Sequence, residues 1–161
     1  MLENPRVAIV DYGLGNLFRV SLACEKAGLN PFIGSSIEEL NDSEAIILPG
    51  VGAFGDAVLE LRRLGLTDFL RDAAGAGKPI LGICLGMQLL MSESNEFGRH
   101  EGLGILEGSV LPFISPSDAL GKRLKVPQVG WNSIHKPQGI SWQGTALESA
   151  KEGGFYYFVH S

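Results

Sequence analysis

A cysteine held between two glycines, in Gly82-Ile83-Cys84-Leu85-Gly86, is the feature of this sequence with the clearest chemistry. Ahead of it, Lys78-Pro79-Ile80-Leu81 reads as the entry to a short buried strand. Behind it, Met87-Gln88-Leu89-Leu90 reads as a helix. Gly-x-Cys-x-Gly at a strand-to-helix turn has the layout of a nucleophile elbow. A turn that sharp forces the nucleophile into strained backbone angles, and a glycine on each side lets neighbouring backbone pass without a clash. The thiol is thrust out at the carboxyl end of the sheet, where open α/β proteins bind ligands. It also stands at a helix N-terminus, which favours an anionic sulfur. The amide N–H of Leu85 would face a developing oxyanion. A lone cysteine at a strand end is more often a small core residue; the paired glycines favour the reactive reading. Cys24, on the apolar face of a helix, is expected in the core.

Such a turn needs a parallel sheet to carry it, and the apolar runs supply one. Residues 7–10 read as a buried strand leading into the glycine-rich turn Asp11-Tyr12-Gly13-Leu14-Gly15-Asn16. Leu17, Val20, Leu22, Ala23 and Ala27 then recur at helical spacing, and Gly28 closes that helix. Residues 31–33 and 45–48 read as the second and third strands, the third stopped by Pro49-Gly50-Val51-Gly52. Residues 56–63 and 67–74 read as helices separated by Gly65, residues 80–83 as the fourth strand, and residues 86–91 as the helix after the cysteine. The order β-α-β-β-α-β-α predicts an α/β fold: a mostly parallel open sheet with helices on both faces. Beyond residue 95, strand-like pieces at 109–113, 124–134 and 155–159 alternate with Gly, Pro and Ser. They predict a mainly antiparallel extension of one domain spanning residues 1–161, with no internal repeat, low-complexity tract or linker.

At 161 residues and 45% hydrophobic content, the chain is long enough for one domain with a real core. A net charge of -5 with no basic run beyond Arg62-Arg63 argues against nucleic acid as a partner. Two cysteines and three scattered histidines, His100, His135 and His160, make no metal-ligand spacing, so no metal is expected. Residues 1–6 lack an apolar signal segment, and no apolar run approaches the roughly 18 residues of a membrane span. The expectation is a cytosolic protein with reduced thiols that uses no membrane.

With its cysteine turn, the chain resembles the class I, or triad, glutamine amidotransferases, whose nucleophile motif Gly82-Ile83-Cys84-Leu85-Gly86-Met87-Gln88 matches fully. Within that class it most resembles the glutaminase subunits of imidazole glycerol phosphate synthases, of histidine biosynthesis. Four more segments carry the likeness: Val10-Asp11-Tyr12-Gly13-Leu14-Gly15-Asn16-Leu17, Leu48-Pro49-Gly50-Val51-Gly52-Ala53-Phe54, Val129-Gly130-Trp131-Asn132, and Tyr157-Phe158-Val159-His160-Ser161. They span essentially the whole chain, in order.

The resemblance implies a flavodoxin-like class I amidotransferase fold and a role for each matched residue. Cys84 attacks the side-chain amide carbon of glutamine. Val51 or Gly52 supplies a second oxyanion donor beside Leu85, from a loop that turns over to complete the hole. Gly50, Gln88, His160 and Ser161 contact the glutamine. Asn16 and Trp131 lie near the contact with a cyclase partner, a separate barrel subunit that receives the ammonia. No cofactor is implied. The chain departs from the pattern at one point. The family's catalytic His and Glu stand in a His-Pro-Glu-type motif a few tens of residues beyond the His-Ser segment, and no His-x-Glu occurs here. The expectation is therefore a C-terminally truncated form of the domain that hydrolyses glutamine hardly at all, even with a cyclase partner and its ligand present. Three rivals remain. A related cysteine hydrolase would usually carry a His directly after the nucleophile, where this chain has Leu85. A non-catalytic module could dock a synthase without chemistry. An amidotransferase of the same class could serve another synthase.

Overall fold

The computed structural model describes residues 4–114, 116–117 and 119–161; residues 1–3, the start of the segment read as free of an apolar signal, lie outside them. The chain divides into two compact units, one ending at Pro112 and the other comprising Phe113–Ser161.

The first unit runs β1 (Arg6–Val10), α1 (Leu17–Lys26), β2 (Asn30–Gly34), α2 (Ile37–Asn41), β3 (Ala45–Leu48), α3 (Phe54–Arg63), α4 (Leu66–Gly75), β4 (Ile80–Gly82) and α5 (Leu85–Leu89). It continues with β5 (Met91–Ser94), β6 (His100–Glu101) and β7 (Leu106–Val110). Strands β1 to β4 form one sheet in the order β2-β1-β3-β4, and every pairing is parallel. All four carboxyl ends therefore open on the same edge of the sheet. Strand β1 shows why the sheet is covered twice. Ala8 and Val10 point into a core built with Leu40 of α2, Phe54 and Leu61 of α3, Leu66 and Leu70 of α4, and Leu85 and Leu89 of α5. Val7 and Ile9 point the other way, onto Cys24 of α1, with Leu17 and Val20 packed alongside. Successive strand residues face opposite sides, and each fully buried Leu, Ile or Val contributes about 1.5–3 kcal/mol relative to exposure. The α/β class, the parallel sheet with helices on both faces, and the core position of Cys24 are as the sequence predicts.

Helix α2 corrects the strand-to-strand succession read before residue 45. Two strands that both pair parallel with β1 cannot follow one another without a crossover, and α2 provides it. Ser36 Oγ accepts the Glu39 N–H at 3.3 Å, while the Glu39 carboxylate accepts the N–H groups of Ser36 at 3.2 Å and Ser35 at 3.0 Å. This reciprocal capping starts a helix too short to show periodicity. The same N–H donors hold the Glu39 carboxyl below its ordinary range.

Several boundaries also move. The helix after Cys84 spans Leu85–Leu89, because Met91 already begins a strand. The strand expected at 109–113 starts and ends earlier, as β7, and it pairs parallel with β5 while β6 pairs antiparallel. This part is mixed rather than mainly antiparallel. In the second unit the long run at 124–134 contributes only β8 (Gln128–Ser133), which pairs antiparallel with β9 (Phe155–His160). Trp131 and Tyr157 face each other in that ladder, their rings edge-on at 5.7 Å.

Candidate active site

Sheet order 2-1-3-4 places a switch point between β1 and β3: their following helices, α1 and α3, serve opposite faces. Crevices at the carboxyl ends of strands at such points are where open α/β sheets bind ligands. Here the crevice is bordered by the turn after β1, the loop after β3 and, one strand over, the turn after β4 that holds Cys84.

Cys84 has φ 55° and ψ -118°, a left-handed backbone that a residue with a Cβ adopts only under constraint. A position of this kind costs on the order of 1–3 kcal/mol and persists only where the surroundings over-determine it. The surroundings do so. The Ile83 N–H donates to the Leu48 carbonyl at 3.0 Å, tying the turn to the end of β3. The Gly86 N–H donates to the Ile83 carbonyl, and the Met87 and Gln88 N–H groups both donate to the Cys84 carbonyl. The Cys84 and Leu85 N–H groups make no backbone hydrogen bond among the described residues, and the Leu85 N–H is the one at the start of α5. It lies where the sequence places an oxyanion donor. A side chain at Gly82 would meet the Met87 amide nitrogen at 2.6 Å, and one at Gly86 would overlap the Leu48 carbonyl oxygen. Both glycines are sterically required. Cys84 is exposed and Cys24 buried.

The loop after β3 lies directly against this turn. Pro49 and Gly50 are buried, whereas Val51 and Gly52 are exposed, and Gly52 has φ 106°. A Cβ at Gly50 would stand 2.8 Å from the Gly86 nitrogen and 2.9 Å from the Leu85 Cβ. Gly50 is therefore packed against the turn that carries Cys84, Val51 and Gly52 follow it in the exposed part of the loop, and Gln88 is half-buried one helical turn beyond Cys84.

Two groups with no role read from the sequence complete the arrangement. Tyr12 is 2% exposed, and its hydroxyl donates to the Pro49 carbonyl at 2.7 Å. Burial, and then the electrostatic influence of nearby Cys84, push its phenol well above the ordinary tyrosine range, so it stays a neutral donor. Leaving the buried Pro49 carbonyl without this partner would cost about 1–3 kcal/mol. The Glu96 carboxylate accepts the Phe54 N–H at 2.7 Å, capping α3, whose own N-cap, Ala53, has no side chain able to do so. The Glu96 N–H in turn donates to Ser94 Oγ, a fully buried hydroxyl, at 3.1 Å.

The remaining residues singled out by sequence fall as follows. Asn16 is exposed and caps α1, accepting the Arg19 N–H at 3.3 Å. In the second unit, Trp131 is 67% exposed. His160 is half-buried between the rings of Phe113 and Phe158, at 5.1 and 6.0 Å, and Ser161 is exposed. The His100 ring rests against Gly55 of α3. The second unit also contains a relay with triad-like distances: Ser133 Oγ to His135 Nε2 at 3.0 Å, and His135 Nδ1 to Glu152 at 3.1 Å. Ser133 is on a regular strand, all three residues are exposed, and Glu152 also accepts the Lys136 N–H. The relay fastens neighbouring chain segments rather than activating a nucleophile.

Replacing Gly86 with alanine is expected to lower the urea midpoint by the equivalent of about 3 kcal/mol, the upper end of overpacking costs, because the obstacle is backbone and cannot rotate aside. Gly75→Ala is the control. That position has open space and a helical backbone, and the exchange is expected to gain up to about 1 kcal/mol. Equal effects of the two changes would show that the close approach at Gly86 is absent in solution.

Comparison with known proteins points the same way. Residues 16–146 match the family described as glutamine amidotransferase class-I. A protein of Bacillus licheniformis named imidazole glycerol phosphate synthase subunit HisH is 48% identical over 157 residues, covering 96% of this chain and 70% of that protein. One of the same name from Wolinella succinogenes is 43% identical over 155 residues, covering 96% of this chain and 73% of its own length. Among solved structures, one titled as the crystal structure of a glutamine amidotransferase shares the fold, with a TM-score of 0.56 and 24% identity over 64% of this chain and 54% of that one.

Proposed function

Because the chain belongs to the class I glutamine amidotransferases, we propose that it serves as the glutaminase subunit of an imidazole glycerol phosphate synthase in histidine biosynthesis. The observation that carries the chemistry is the left-handed Cys84 turn with Gly50 wedged against Leu85 and Gly86. The Cys84 sulfur attacks the side-chain amide carbon of glutamine, and the carbonyl electron pair moves onto oxygen. The Leu85 N–H and an N–H of Val51 or Gly52 stabilise that oxyanion. The intermediate collapses with loss of ammonia once the departing nitrogen is protonated. Water then cleaves the γ-glutamyl thioester to glutamate and the free thiol. Gly50, Gln88, His160 and Ser161 are the proposed glutamine contacts.

Ammonia released to bulk water would be protonated to inert ammonium, so the chemistry calls for a synthase partner that receives it directly. We assign this role to a cyclase barrel subunit docking at Asn16 and Trp131, in a heterodimer of the cytoplasm. Each side chain is exposed within its own unit, as a docking residue must be. Among the described residues, no helix is long and apolar enough to cross a membrane.

Sedimentation of the chain with the cyclase subunit is expected to give a one-to-one complex. Trp131→Ala is expected to weaken it at least about tenfold, as truncating an exposed aromatic anchor does. Binding to the barrel subunit of no imidazole glycerol phosphate synthase, but to another ammonia-using synthase, would reassign the chain within the class.

A further inference from the structure

We propose that Arg71 is a positioning residue for the nucleophile helix: by holding the carbonyls of Gly102 and Leu103, it fixes the segment that caps the far end of α5, and through α5 the direction of the Leu85 N–H. This rests on the amidotransferase reading above and deepens it.

Helix α5 is five residues long, too short to hold its shape by its own hydrogen bonds. Its first end is tied to β3 through Ile83. Its other end depends on residues 102–106. The carbonyls of Leu89, Leu90 and Met91 have no further turn of helix to donate to them. They accept instead the N–H groups of Leu103 at 2.8 Å, Leu106 at 2.9 Å and Gly104 at 3.0 Å. The fit is close, since a Cβ at Gly102 would overlap the Met91 carbonyl oxygen. Leu103 is buried in the same core as Leu89 and Leu90.

This capping segment is gripped from α4. Arg71 Nε donates to the Leu103 carbonyl at 2.8 Å and Nη2 to the Gly102 carbonyl at 3.2 Å. The Gly102 carbonyl and the Leu103 N–H belong to one rigid peptide plane, so the Nη2 bond sets the direction of the very N–H that caps Leu89. A guanidinium holds its donors in a planar fork, and two adjacent carbonyls on that fork fix the orientation of the peptide as well as its place. The base of the grip is firm. Leu66, Leu70 and Ala73 of α4 are buried in the core, and Arg71 Nη1 also donates to Asp68 at 3.2 Å. Helix α5 carries the Leu85 N–H in its first turn and Gln88 near its end. A small tilt of so short a helix moves both the proposed oxyanion donor and a proposed glutamine contact. A misplacement of about 1 Å costs about 100-fold in rate. Arg71 reaches only the end of α5 away from Cys84, and it acts through the helix.

The test is alkylation of Cys84 in the chain as it stands, with two probes. A glutamine-shaped chloroketone passes through a hemithioketal that needs the proposed oxyanion donors; iodoacetamide reacts by simple displacement and does not. For Arg71→Ala the chloroketone rate is expected to fall about tenfold, while the iodoacetamide rate stays within about threefold. Guanidinium chloride below denaturing strength, but not sodium chloride of equal ionic strength, is expected to restore most of the loss, because the free ion fills the vacated fork. A merely destabilised fold would leave the ratio of the two rates unchanged in the folded protein, and guanidinium would weaken it further. Arg71→Lys keeps the charge beside Asp68 without the planar fork, and is expected to lose about fivefold toward the chloroketone alone. It decides the matter should Arg71→Ala not fold. An unchanged ratio of the two rates in the folded variants, or a loss that guanidinium deepens, would overturn the Arg71 proposal alone. If Cys84 of the unaltered chain shows no preference for the glutamine-shaped probe, the amidotransferase reading falls, and the role of Arg71 falls with it.

Discussion

A polypeptide of these 161 residues is expected to release glutamate from glutamine about 10⁴- to 10⁶-fold more slowly than a family member that carries the His-Pro-Glu motif, each with a saturating cyclase partner. The reason lies in the residue content. The sequence holds three histidines, and none belongs to a His-x-Glu pair. On the proposed oxyanion side, Gly50 packs against Leu85 and Gly86, and the Cys84 turn is tied to the end of β3. The prediction is that these residues supply no positioned group to take the thiol proton and then give it to the leaving nitrogen. The second task weighs more, since an amide nitrogen leaves only when protonated. A residual rate of about 10³ to 10⁴ over water is the share that oxyanion stabilisation and binding supply without a triad. Steady-state glutamate formation measures the difference. Turnover within about tenfold of the comparison enzyme would mean that a group in this chain acts as the base. His160 is the first to replace in that case.

The second large effect separates the two thiols. A glutamine-shaped chloroketone is expected to modify Cys84 at least about 100-fold faster than Cys24, because reaching a buried thiol requires a local opening that costs roughly 3 kcal/mol or more. Cys24 is 5% exposed on the sheet-facing side of α1. Burial, and to a lesser degree the neighbouring Glu25, push its thiol up toward the protonated, unreactive form. Cys84 is exposed on a strained turn beside the loop that completes the proposed oxyanion hole. Intact mass and peptide mapping resolve the sites, and Cys84→Ala should leave the chain essentially unlabelled. Equal labelling of both thiols, or modification at Cys24 alone, would remove Cys84 from its proposed role.

The parts of this site that could be read in the sequence are those that local rules fix. Apolar runs such as Val7-Ala8-Ile9-Val10 announce buried parallel strands. Glycines on either side of Cys84 announce a turn that no other residue fits, and the Cβ clashes at Gly82 and Gly86 bear that out. What could not be read depends on pairs far apart in the chain. Tyr12 meets Pro49 across 37 positions and Glu96 meets Phe54 across 42. Only the folded sheet brings such partners together, so neither side chain carries a local signal beyond being a tyrosine or a glutamate. A short helix such as α2, five residues long, leaves too little periodicity to be distinguished from a loop. Its capping box, Ser36 with Glu39, was the one readable sign.

The parallel pairing of β1, β3 and β4 carries a kinetic consequence. Each parallel contact closes a long loop before any contact rewards it, and such pairings form slowly. The left-handed backbone of Cys84 is held by a hydrogen bond from Ile83 to the end of β3, a bond that cannot exist until β4 has docked. During refolding the nucleophile is therefore an ordinary flexible cysteine until β4 has paired with β3. The reactivity of a single sulfur atom toward a glutamine-shaped probe would then act as a clock for sheet closure, lagging behind any spectroscopic signal of helix formation.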